Sequence, residues 1–135
     1  MTDAVAEAPS LFEQALQGYH DGRPLPEVIA SFQQITQQEP RLSAGWTCLA
    51  WLQLLDGQHQ SALRSAKTAV RLNPQDPQAR INLSLAMLET NAKGVREHIE
   101  WVLRVRAMAP ELAEELDGSM ADGLARRPDW QALQK

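Results

Sequence analysis

Three histidines and one cysteine are the side chains best suited to hold a metal or to attack a substrate. His20, His59 and His98 stand 39 residues apart, whereas local zinc-ligand pairs are separated by roughly two to five residues. Cys48 is the only cysteine, and no histidine lies near it in sequence. It falls inside an apolar stretch, where a thiol acts as a small packing group rather than a nucleophile. It has no partner for an intramolecular disulfide, in keeping with a reducing compartment. The glycines occur singly in turn-like positions, with no glycine-rich loop to cradle a phosphate. The pattern therefore predicts a protein that is not an enzyme, with no catalytic residue, cofactor or metal.

Composition narrows the remaining functions. The chain has 135 residues, 44% hydrophobic and 22% charged, which suits one globular domain with its own core. Its formal charge is −4, against a general affinity for nucleic acid or anionic lipid. Residues 1–62 carry 2 basic and 7 acidic side chains, and residues 63–135 carry 11 and 10. The start, MTDAVAEAPS, has no basic region leading into an apolar segment. The longest apolar run, GWTCLAWLQLL, is far shorter than the roughly 20 residues of a membrane span. A cytoplasmic protein without membrane insertion is expected.

The positioning elements follow from the prolines. Pro40, Pro74 and Pro110 each close an apolar-periodic segment, and they are spaced by 34 and then 36 residues. Helix-length patterns alternate between them with short turns such as LDGQHQ and NPQDP, and no segment alternates with period two over strand length. An all-helical fold is predicted.

A helix–turn–helix period of this length resembles the tetratricopeptide repeat (TPR) family. The middle unit is similar to the family pattern at Trp46, Leu49, Ala50, Gly57, Ala62, Ala69 and Pro74, and departs from it at Gln53 and Ala66. The first supplies Phe12, Tyr19, Phe32 and Pro40, with Val28 and Ile35 in place of small residues. The third has Arg80 where an aromatic is usual, then Leu83, Ser84, Met87 and Pro110. The resemblance implies an all-α, right-handed solenoid of antiparallel helix pairs. Its expected divisions are an N-terminal tail over 1–8 and repeats over 9–42, 43–76 and 77–112. A capping helix with a short final helix follows over 113–135. Leu112, Leu116, Met120 and Leu124 form the apolar ladder of that cap, with Gly118 and Gly123 as points of kinking or fraying. Trp101, Val105 and Met108 form a stripe expected to pack against it.

The apolar run from Gly45 to Leu55 has only Thr47 and Gln53 as polar side chains. A helix apolar all round must bury both faces. Trp46, Leu49, Ala50 and Gln53 are expected in the core. Trp46 and Trp51, five residues apart, leave the helix about 140° from one another. In TPR proteins the first helices line a concave groove. The resemblance thus implies a partner-binding groove of Ala44, Thr47, Trp51, Leu54, Leu55, Gln78, Ile81, Asn82, Leu85 and Leu88. A polar stretch of Ser10, Glu13, Gln17, His20 and Asp21 would extend it. Positions corresponding to a carboxylate clamp fall on Glu13, Gln17, Cys48, Gln78 and Asn82, with no cation among them, so an acidic peptide terminus finds no charge-assisted donor. The arginines at 104, 106, 126 and 127 read as solvated surface. The expected function is an adaptor or assembly factor that takes an apolar or amphipathic segment of another protein. The alternatives are a structural subunit whose groove is filled by its own tail or by homo-oligomerisation, and an accessory domain of a longer protein.

Overall fold

A computed structural model describes residues 10–128 and residue 130. The expected tail over 1–8 and most of the expected final helix lie outside these residues. Seven α-helices and no strand are found among the described residues. They are α1 (Leu11–His20), α2 (Leu25–Gln38), α3 (Ser43–Leu55), α4 (His59–Leu72), α5 (Pro77–Thr90), α6 (Val95–Met108) and α7 (Pro110–Arg126). None is long and apolar enough to cross a membrane.

Local chemistry explains the boundaries. The Ser10 hydroxyl accepts from the Glu13 N–H at 3.0 Å while the Glu13 carboxylate accepts from the Ser10 N–H, a reciprocal cap that opens α1. Pro26, Pro77 and Pro110 stand in the first turns of α2, α5 and α7, where a missing N–H leaves no intrahelical bond unmade. Asp76 caps α5 by accepting from the Gln78 N–H. Gly57, at φ +78°, makes the turn between α3 and α4. α6 and α7 are joined by Ala109 alone.

Consecutive helices pack on one another, and α3 also packs on α5. Those two form the centre. Nine of the 13 residues of α3 and eight of the 14 of α5 are buried. Ala62, Ala66 and Ala69 of α4, all at 0% exposure, let α4 approach this layer closely. At Gly45 an added Cβ would stand 3.2 Å from Ile35 Cγ2, so α2 and α3 are at closest approach there. The buried side chains of Gln53, Ser65 and Asn82 are matched. Gln53 Oε1 accepts from the Ser65 hydroxyl at 2.7 Å. Asn82 donates to the Thr47 carbonyl at 2.9 Å and accepts from Gln78 Nε2 at 2.9 Å.

The two tryptophans of α3 join different clusters, as their angular separation requires. Their depths reverse the expectation. Trp46 is only half-buried, at the edge of the cluster that holds Phe32 and Leu49, with its N–H donated to the Pro40 carbonyl at 2.9 Å. Trp51 is 7% exposed. Met108 is 83% exposed and does not join the stripe of Trp101 and Val105, because the chain reverses at Ala109 before anything can cover it. α7 runs unbroken through Gly118 and Gly123.

Candidate functional site

The expected groove residues divide into two sets. Trp51, Leu54, Leu55, Ile81 and Leu85 are buried in one cluster with Leu116 of α7 and Trp130, and Met120 and Leu124 pack against it. Thr47, Gln78 and Asn82 line an open cleft, and Trp51 reaches its wall. Ala44 and Leu88 are half-buried and line neither. A wholly vacant groove is therefore not what the chain presents: its own C-terminal segment lies over the apolar half. The physical reason is the ladder on α7, which must itself leave water and finds its complement on α3 and α5.

That segment is fastened by polar contacts at each end. The Trp130 ring lies 5.6 Å from the Trp51 ring at 44°, and its N–H donates to Glu89 Oε1 at 2.9 Å. Arg127 donates to the Leu54 carbonyl at 2.7 Å, in the last turn of α3, where that oxygen also accepts from the Gly57 N–H at 3.1 Å. The same guanidinium stacks 4.7 Å above Trp130. Arg126 sits 4.0 Å over the Tyr19 ring, donates to the Tyr19 carbonyl at 2.9 Å and pairs with Asp122 at 3.4 Å. Arg126 and Arg127 are thus structural fasteners and not merely solvated charges. The Tyr19 hydroxyl accepts from Trp51 Nε1 at 2.9 Å and donates to Asp122 Oδ2, which links α1, α3 and α7. Burial, with the Asp122 carboxylate next, pushes the Tyr19 phenol up to about 12, so it stays protonated.

The open cleft has a volume of about 460 Å³. Leu16, Phe32 and Leu52 give it an apolar lining, and Tyr19, His20, Thr47, Cys48, Gln78 and Asn82 add polar groups. Gly118, Ser119 and Asp122 of α7 close one side. Cys48 is half-buried, and burial, reinforced by the charge of Asp76, raises its thiol to about 12. At neutral pH it is a thiol and not a nucleophile. No group of three metal-ligating side chains converges among the described residues. His59 lies 3.5 Å from Glu89 without a hydrogen bond, and His98 meets Arg80 at 3.3 Å. The cleft thus combines apolar side chains with hydroxyl and amide groups.

The polar stretch expected from α1 is placed differently. Only His20 of that set reaches the cleft. Glu13, Gln17 and Asp21 line a separate cavity of about 550 Å³ between α1 and α2. Of the clamp positions, Cys48, Gln78 and Asn82 lie in the cleft and Glu13 and Gln17 lie away from it.

Leu16, Tyr19, Ser119 and Asp122 line the cleft, although sequence reasoning does not assign them to it, whereas Trp130 covers Trp51 as the self-filled alternative expects of the chain's own tail. Leu16 and Tyr19 carry a signal, since they share one face of α1 at a spacing of three. Asp122 carries none, because an acid on an amphipathic helix reads as solvated. No family model matches the chain, and no curated protein matches it.

Proposed function

We propose that this protein is a protein–protein interaction module, an adaptor or assembly factor, built as a TPR-like right-handed solenoid of helix pairs. In this reading it is cytoplasmic and not an enzyme, and its cleft takes a short apolar or amphipathic segment of another protein. The cleft between α1, α3, α5 and α7 is the observation that carries the reading. Its floor of Leu16, Phe32 and Leu52 suits one large apolar side chain. The Gln78–Asn82 pair leaves the Gln78 carbonyl oxygen as an acceptor for a partner's N–H. Three repeats over 9–42, 43–76 and 77–112 put the first helix of each pair on the cleft side, with α7 as the cap.

A specific observation favours a second reading, a structural subunit whose groove is permanently occupied. Trp130 is 1% exposed on top of Trp51, a depth typical of a core side chain. The experiment that separates the two compares affinity capture from the native host by the parent chain and by Leu16→Lys and Gln78→Ala. The interaction reading expects a protein retained by the parent and lost from both variants, at melting temperatures near the parent's. Equal retention by all three chains removes the cleft as the site, and no retention by any of them leaves the structural subunit.

A further inference from the structure

The 14 residues of α4 include His59, Arg64, Lys67 and Arg71 and no acidic side chain. Arg64, Lys67 and Arg71 are all exposed, and at 100° per residue they fall within an arc of about 60°. Ala62, Ala66 and Ala69 occupy the opposite face and are wholly buried. Among the described residues none of the three cations lies within ion-pair distance of a carboxylate. In a chain of net charge −4 this stripe is a local exception.

Its complement is on α7. Glu111, Glu114 and Glu115 are exposed, lie within an arc of about 100°, and are likewise free of ion pairs among the described residues. They stand opposite the ladder of Leu116, Met120 and Leu124, which faces α3 and α5. Each stripe therefore faces away from the core that its helix helps to form, and among the described residues no ion pair joins the two within one molecule.

We propose that the basic face of α4 docks on the acidic face of α7 of a second copy. The basic stripe runs about 10.5 Å along its helix and the acidic one about 6 Å, and the spacing of about 4.5 Å from Arg64 to Lys67 equals that from Glu111 to Glu114, so two pairs fall in register. Because donor and acceptor are different faces, one contact leaves a face of each sign open, for a reciprocal second contact or for a further copy. Exposed pairs contribute about 1.5- to 5-fold each, so the contact is weak and strongly salt-dependent. It does not rest on the cleft reading, since no cleft residue takes part.

Sedimentation velocity over a concentration series, at about 50 mM and about 500 mM salt, tests it. The parent chain should show a mass that rises with concentration at low salt and is monomeric at high salt. Arg64→Glu/Lys67→Glu/Arg71→Glu should be monomeric in both, and so should Glu111→Lys/Glu114→Lys/Glu115→Lys. An equimolar mixture of the two variants should associate again, because every contact in it pairs opposite charges, and that recovery also shows that both variants fold. A parent chain monomeric throughout at low salt overturns the proposal, as does association unchanged in either variant. Loss in the α4 variant alone also overturns it, since the stripe then faces some other acidic surface.

Discussion

Replacing Trp130 with alanine removes the side chain that seals the covered half of the groove. An indole buries on the order of 200 Å², worth about 5 kcal/mol at roughly 25 cal/mol per Å² as an upper bound. Aromatic-to-alanine changes in cores cost about 3–5 kcal/mol. Trp130 lies four residues past the end of α7, so its loss also releases Arg127 and its neighbours. Regained backbone entropy of about 1–2 kcal/mol per freed residue offsets part of the deficit. The net expectation is a loss of about 2–3 kcal/mol, or a melting temperature lower by about 10 °C for a chain of this size. Trp130→Phe keeps an aromatic ring against Trp51 but gives up the hydrogen bond to Glu89 and part of the ring volume beneath Arg127, and should cost about 1–2 kcal/mol. The assay is thermal unfolding followed by far-ultraviolet circular dichroism. Trp51 fluorescence should shift to the red in the alanine variant as water reaches the ring. A Trp130→Ala variant that melts within about 2 °C of the parent, with Trp51 still shielded, refutes the reasoning that this residue closes the groove.

Trp46→Ala should cost about 1–3 kcal/mol, less than Trp51→Ala, because Trp46 is half-buried; equal losses in thermal melts would contradict this difference in depth. Cys48 should react with a thiol reagent at pH 8 about a thousandfold more slowly than a free cysteine, since a thiol raised to about 12 is almost wholly protonated there. A rate within tenfold of free cysteine would show the site to be open. The imidazole of His98 is held below its ordinary value by burial and then by the Arg80 charge. The unfolded chain therefore binds this proton first, and stability falls as pH drops below about 6.5. His98→Gln should flatten that part of the melting-temperature profile, and an unchanged slope would assign it to other groups.

How much of the molecule is legible in the sequence depends on what each feature needs. Three prolines at a helix-pair interval and the absence of two-residue alternation are enough for the helices, because both signals are local. The apolar circumference of α3 demands burial on both sides, and α3 has it. The ladder on α7 demands a cover without saying which, and an amphipathic pattern never carries that address. The depth of Trp46 and Trp51 is hidden for the same reason: sequence sets the angle between two side chains on one helix, but their exposure depends on what lies over each. The rotation of α1 is legible: Leu11, Phe12, Ala15, Leu16 and Tyr19 fall within an arc of about 140°, an ordinary apolar stripe, and it is the resemblance to the repeat family that turns the polar face toward the groove instead. Periodicity alone places Met108 in a packed stripe, and a single-residue connection at Ala109 takes it out of reach.

The bond from Tyr19 to Asp122 and the bond from Arg126 to the Tyr19 carbonyl span 103 and 107 residues of chain. A stack of helix pairs held only by neighbours behaves as a one-dimensional array, able to melt inward from either end one unit at a time. Here α1 and α7 are tied to each other, and both to Trp51. The outermost two of the described helices therefore hold each other and do not open as independent units. The described helices should then unfold in one concerted step, with amide exchange in α1 and α7 protected about as well as in α3. Such closure also slows folding, since the long loop between Tyr19 and Asp122 must be drawn shut before its contacts contribute.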